Sequence, residues 1–178
     1  MGQVISDEQL AKEAGQGRGE CFQELVRRHY RAMLFFVTGK LRDLNDAEDI
    51  VQEAFLNAYE GIGSFDSKYK FKTWLFTIVH NCMVSHLRKK RRTKALDPAE
   101  IPCPRQSHEK AVEDEDHVRL VWDAARDLPT DQFTALWLKY QEQMDTKTIA
   151  SVMNKSSVSI RVTLHRARRK IADMLPDD

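Results

Sequence analysis

Five side chains near the C-terminus are the best equipped for chemistry: Arg161, His165, Arg166, Arg168 and Arg169. Guanidinium groups neutralise phosphate and can donate paired hydrogen bonds to the edge of a guanine. These residues lie off an apolar stripe, Ile160, Leu164, Ala167 and Ile171, whose steps of four, three and four mark one face of a helix. Opposite that stripe stand Val158, Val162, His165 and Arg169. The two valines either touch thymine methyls or pack on a preceding helix. Just upstream, Ile149, Ala150 and Met153 fit the inner side of a shorter helix. Asn154 then stands where the chain must turn, and Asn tolerates a left-handed backbone. Ser156 or Ser157 can cap the second helix through its side-chain oxygen. Two helices joined this way form a helix-turn-helix, which sets side chains into the DNA major groove.

Two further charged sets need positioning. Arg88, Lys89, Lys90, Arg91, Arg92 and Lys94 form a basic block at the end of another amphipathic segment. Asp46, Glu48, Asp49, Gln52, Glu53 and Asn57 form the outer face of a segment whose inner face is Ile50, Val51, Ala54, Phe55 and Ala58. Any one such run is ordinarily a solvated helix face. Two basic blocks, each closing an amphipathic helix, point instead to nucleic acid. A further acidic block, Glu109 and Glu113 to Asp116, separates them, so a formal net charge of only +1 hides opposed patches and suggests more than one charged partner.

The 178 residues suffice for one or two small domains. Cys21, Cys82 and Cys103 are odd in number and widely spaced, which fits a reducing compartment rather than a disulfide framework. Cys82, His86 and nearby His80 raise a metal site, but no CxxC or HxxxH spacing supports one, and a core thiol is preferred. No metal and no cofactor are expected. A Gly-rich phosphate loop, HExxH and a nucleophile elbow are all missing, so catalysis is not expected. With no long apolar run and no basic-plus-apolar leader, the chain reads as soluble and cytoplasmic, without membrane insertion.

The elements that must position these residues are all helical. Ser6 or Asp7 can cap a short helix through Ala14, which Gly15, Gly17 and Gly19 then break. Phe22, Leu25, Val26, Met33, Phe36, Val37 and Leu41 predict a long helix. Asn45, with Glu48 in capping-box register, predicts the start of the acidic helix, and Gly61 and Gly63 its end. A fourth helix begins near Phe71, buries Trp74, Leu75, Ile78, Val79, Cys82 and Met83, and runs into the basic block. Pro98, Pro102 and Pro104 then fall in a polar, acidic stretch with too few apolar residues to offset the entropy of ordering. Helices resume with Val118, Leu120, Val121 and Ala125, and continue after Pro129 with Phe133, Leu136, Trp137 and Tyr140. The expected fold is all-α, with two small helical domains (1–94 and 118–178) joined by a flexible linker (95–117).

The order DAEDIVQEAFLNAY, FKTWLFTIVHN running into LRKKRR, a tether, then LP and a helix-turn-helix ending HRARRKI resembles a bacterial sigma factor of the extracytoplasmic-function group, in the sigma-70 family. The resemblance covers about Glu20 to Leu175, apart from the tether. It implies that the chain binds core RNA polymerase and directs it to promoter DNA, and that an anti-sigma factor holds it inactive until a stress signal releases it. Residues 1–94 would be the second sigma domain, which melts and reads the minus-ten element, and 118–178 the fourth, which reads the minus-thirty-five element. Asp46, Glu48, Asp49, Gln52, Glu53 and Asn57 then match the polymerase-docking helix, whose acidity suits a basic coiled coil.

Phe65, Lys68, Tyr69, Lys70, Phe71 and Lys72 match the family's base-capturing loop, and rings interleaved with lysines suit stacking plus phosphate neutralisation. Asn81 matches the asparagine facing minus-ten DNA. Trp74 shares a stripe with Ile78 and reads as core. Arg88, Lys89, Arg91 and Arg92 would hold upstream phosphates. Ser157, Val158, Arg161, Val162, His165, Arg166, Arg168 and Arg169 would meet the minus-thirty-five element. His80, Ser85 and Thr163 depart from commoner family residues, which bears on the promoter sequence rather than the class. A stand-alone helix-turn-helix regulator explains the C-terminus alone, and predicts a dimer on paired half-sites. The sigma reading predicts a monomer when free.

Overall fold

The computed structural model describes residues 5–96 and 113–175. Cys103, the three prolines of the tether and most of the stretch expected to be linker lie outside the described residues. Among those described, every regular element is helical. Helix α1 (Asp7–Gly15) starts where the Ser6 hydroxyl accepts from the Gln9 amide at 3.2 Å. Gly17, at φ 95°, turns the chain into α2 (Gly19–Lys40), a backbone that glycine adopts without strain. Helix α3 (Leu44–Gly61) begins one residue before the expected Asn45. Its cap is Asp43, whose carboxylate accepts from the Asn45 and Asp46 amides at 3.0 and 3.3 Å. The capping-box reading therefore had the wrong cap: a carboxylate two residues earlier satisfies the free amides first. A 3-10 turn (Ile62–Ser64) follows, then α4 (Phe71–Leu96).

Helix α1 ties this half together. Its Asp7 carboxylate pairs with Arg28 at 2.8 Å and meets His29 Nε2 at 2.7 Å, while the Glu8 carboxylate accepts from the Phe71 amide at 3.3 Å, at the start of α4. Leu25, Met33, Phe36, Ile50, Ala54, Phe71, Leu75, Phe76 and Met83 form the core, all fully buried.

The second half starts earlier than expected. Helix α5 (Glu113–Arg126) begins inside the stretch assigned to the linker, and Val118 and Leu120 on it are exposed rather than core. Helices α6 (Thr130–Tyr140), α7 (Thr146–Val152) and α8 (Ser157–Met174) complete it. Asn154 adopts φ 49°, the left-handed turn its side chain tolerates, and the Ser156 hydroxyl caps α8 by accepting from the Ser159 amide at 3.1 Å. Ile160, Leu164, Ala167 and Ile171 are the buried residues of α8, as the stripe predicts.

The two halves pack together. The Phe36 ring of α2 lies 6.0 Å from Phe133 and 5.6 Å from Trp137 of α6, and 5.4 Å from Phe76 of α4. Helix α7 lies against α4, and α5 against α2. One hydrophobic core therefore runs through both halves.

Candidate polymerase and promoter interfaces

The acidic face of α3 is mostly open. Asp49, Gln52, Glu53 and Asn57 are exposed and Glu48 is half-buried, because the opposite stripe (Ala47, Ile50, Val51, Ala54, Phe55, Ala58) is pinned against α2 and α4. Asp46 departs from this set. Its carboxylate accepts from Lys90 Nζ at 2.6 Å and lies 3.4 Å from His86, so it ties α3 to the basic end of α4. Partial burial pushes the Asp46 carboxyl up, but the Lys90 hydrogen bond and charge, with His86, outweigh that and hold it below the usual aspartate range. The Asn57 amide donates to Cys82 Sγ at 3.3 Å, and burial pushes the Cys82 thiol up. His80 instead meets Thr134. The three groups that raised a metal site thus each face a different partner.

Sequence reasoning missed an apolar groove beside the acidic face. Phe22, Val26, Tyr30, Phe55, Leu56 and Tyr59 line it between α2 and α3. Leu56 and Tyr59 are 65% and 53% exposed. Both fall off the buried stripe of α3, and that was the available signal.

The loop before α4 divides its residues. Lys68, Tyr69 and Lys70 are exposed, Tyr69 at 69%. Phe65 is not free to stack on a base as its ring stands, lying 5.7 Å from Phe71 and 5.3 Å from Trp74. Phe71 is wholly buried, and Trp74 is partly buried against both rings, which agrees with its core assignment. Lys72 is engaged across the halves, 2.5 Å from the Glu142 carboxylate. The helix α4 then turns Asn81, Arg88, Lys89, Arg91 and Arg92 outward. Asn81, Arg88 and Arg92 recur at seven and four, so they share one face.

In the second half the outer face of α8 is open along its length. Val158 and Val162 are 63% and 43% exposed, so neither belongs to the buried stripe. Arg161, His165, Arg166, Arg168 and Arg169 are exposed, and Ser157 is half-buried at the cap. The Arg168 guanidinium lies 5.9 Å over the Tyr140 ring, which steadies it on α6. Helix α7, held by Asp145 accepting from the Lys147 and Thr148 amides at 2.8 and 2.9 Å, braces α8 from behind.

Known proteins share this arrangement. The family model "Sigma-70 region 2" matches residues 25–93 and "Sigma-70, region 4" matches 119–171, together about two thirds of the chain. The ECF RNA polymerase sigma factor SigW of Bacillus subtilis is 27% identical, over 93% of this chain and 95% of its own. The ECF RNA polymerase sigma-E factor of Haemophilus influenzae is also 27% identical, over 98% of each. Among solved structures, the sigma factor RpoE from Bartonella quintana, in complex with the anti-sigma factor NepR, shares the fold at a TM-score of 0.70. It is 21% identical and covers 85% of this chain and 94% of that one. Helix-turn-helix regulation alone leaves the region 2 match unexplained. Both matched regions stand in family order, in a chain aligned over nearly its whole length with named factors, so the chain belongs to the sigma-70 family, in its extracytoplasmic-function group of transcription initiation factors.

Proposed function

We propose that the chain recruits core RNA polymerase through the exposed α3 face and carries it to a two-part promoter. Asp49, Gln52, Glu53 and Asn57 give the acidic rim of the docking surface, with Glu48 at its edge, and the Leu56–Tyr59 groove its apolar floor. Asp46 acts indirectly by tying α3 to α4. Complementary charge fixes register and speeds encounter, while the apolar floor supplies the desolvated contact.

Residues 1–94 form the unit that opens and reads the minus-ten element. Unstacking a base step costs on the order of 1–2 kcal/mol, which capture of a flipped base must offset. Tyr69 is the exposed ring available for that capture, with Lys68 and Lys70 on the flanking phosphates. Phe65 supports the loop from below. Asn81 and the Arg88–Arg92 row hold the adjoining duplex. Residues 118–178 form the unit that reads the minus-thirty-five element through Val158, Arg161, Val162, His165 and Arg166, with Ser157, Arg168 and Arg169 on the backbone. The stretch between is the tether. An anti-sigma factor controls access to these surfaces, and the chain works in the cytoplasm as a monomer when free.

The observation that carries this reading is the open, braced face of α8, lying in the same chain as an exposed acidic helix that matches the region 2 family. Run-off transcription with purified core polymerase on a genomic fragment library tests it. The expected result is initiation at a small set of sites that share two elements. No site-selective initiation on any template would overturn it.

A further inference from the structure

Helix α4 opens after Lys70, whose side chain only donates and so cannot cap the free amides of a first turn. The Lys70 carbonyl accepts from the Trp74 amide at 3.2 Å. The Phe71 amide donates instead to the Glu8 carboxylate of α1 at 3.3 Å, across 63 positions of sequence. A negative charge there also suits the positive end of a helix of 26 residues. Asp7, the neighbour of Glu8, holds His29 at 2.7 Å, and the His29 ring lies 5.4 Å from the Phe71 ring. The first turn of α1 therefore grips Phe71 directly at its backbone and, through His29, at its side chain.

The other end of α1 meets the chain just before the same loop. A Cβ on Gly15, the last residue of α1, would stand 3.3 Å from the Ile62 carbonyl oxygen and 3.4 Å from Gly63 Cα, so the 3-10 turn is packed tightly against it. Between these two anchors runs the loop 65–70. Inside it, the Asp66 carboxylate accepts from the Lys68 amide and the Asp66 carbonyl from the Tyr69 amide, both at 3.0 Å. Phe65 packs inward on Phe71 and Trp74, while Tyr69 stands in solvent. Glu8 and Gly15 lie about 10 Å apart along α1 at 1.5 Å per residue. The chain from Gly63 to Phe71 could reach about 27 Å if extended. Held well short of that reach, it bows outward, and Tyr69 lies on the bow.

We propose that α1 is a clasp that sets the shape of the 65–70 loop, with Glu8 and Gly15 as positioning residues that hold Tyr69 where an unpaired base can stack on it. The clasp stands on these contacts, and its use on DNA rests on the minus-ten reading of Tyr69. Glu8 and Gly15 face protein rather than any of the surfaces assigned to DNA. They act before DNA arrives, because a loop already in its bound shape loses less freedom when it captures a base. A loop released to sample other shapes binds with an affinity lowered by the fraction of time it spends in the right one. Position 8 then needs an acceptor for the Phe71 amide, which a carboxamide also supplies and a methyl group does not.

The test uses the full chain with three variants. Glu8→Ala removes the acceptor, Glu8→Gln keeps one, and Gly15→Val crowds the 3-10 turn from the other end. The two Glu8 variants keep the test decisive if Gly15→Val fails to fold, which circular dichroism reports. Hydrogen exchange read by mass spectrometry should show the 65–71 amides opening about fivefold faster in Glu8→Ala, the ordinary worth of a helix cap, and close to the wild-type rate in Glu8→Gln. On a promoter selected by run-off transcription with core polymerase, permanganate reactivity of the unpaired thymines should fall several-fold in Glu8→Ala and Gly15→Val and recover in Glu8→Gln. In a Tyr69→Ala background, Glu8→Ala should cost little more, since both act through one ring; a purely structural role would add its loss in full. Unchanged loop exchange in Glu8→Ala would overturn the clasp. Faster exchange with normal melting, or additive losses in the double variant, would overturn the positioning role. If the wild type selects no promoter, the minus-ten reading fails and the positioning role with it, while exchange still decides the clasp.

Discussion

Replacing Ile160 with Ala tests both the inward face of α8 and the unity of the fold. Ile160 is fully buried, at the first position of the stripe that fixes which side of α8 faces outward. Truncation removes three carbons and leaves a cavity, which costs about 3 kcal/mol within the usual range of about 2–5. Unfolding entropy is about 2.1 cal/mol/K per residue. If residues 113–175 melt alone, about 63 residues unfold, the entropy is about 0.13 kcal/mol/K, and the midpoint falls by about 20 °C. If both halves melt as one body of about 155 residues, the fall is about 9 °C and one transition remains. The ring cluster of Phe36, Phe133 and Trp137 across the halves predicts the second result. Scanning calorimetry of the full chain measures it, with Val158→Ala as an exposed control expected to shift by about 1 °C or less. A fall of under about 3 °C would refute the burial argument. A second, separate low transition would refute the shared cooperative core.

Other outcomes follow from the exposed faces and from one buried ring. Arg161→Ala and Arg166→Ala should each weaken binding to a promoter duplex, and each should lower the salt slope by about one where a phosphate contact is lost. Titrations at several salt concentrations check this, and unchanged affinity throughout would reject the role. The double substitution Asp49→Lys with Glu53→Lys should weaken competition for core polymerase while circular dichroism stays unchanged, since both side chains are exposed. Burial pushes the His80 imidazole below its ordinary value; Asp131 opposes this and Lys155 adds to it. The unfolded chain therefore takes up that proton first as pH falls below about 6.5, so stability declines from there toward the folded-state value and is level above. Denaturant midpoints of His80→Gln between pH 7 and 5 should show a flatter profile than the wild type. Parallel profiles would remove His80 as the source.

Local structure was largely legible because it is written in periodicity and caps. The Ile160–Ile171 stripe, the left-handed Asn154 turn and the Ser156 cap each depend on residues within about four positions, and each stands where those residues put it. Where a cap misled, at Asn45, an equally good acceptor lay two residues upstream. The candidate faces were legible to the same extent: Asp49, Glu53, Arg161 and Arg166 are exposed because their opposite stripes are buried. The pairings between distant segments were not legible. Asp46 is drawn off the exposed acidic face of α3 by Lys90, 44 positions away, and Lys72 is held by Glu142, 70 positions away. No spacing rule links such residues. The glycine at 39, inside a helical pattern, was a hint that another body came close, but it did not say which.

What the amino-acid order determined on its own was a succession of amphipathic helices, most of their inward stripes and the charged faces opposite them, since each needs only neighbours along one helix. What only the tertiary structure decided was that the two halves share a core. Phe36 and Trp137 have apolar rings that any neighbouring helix could satisfy, and burial rewards area without regard to partner. Gly39 permits this pairing, because its missing side chain leaves room on α2 for both rings of α6.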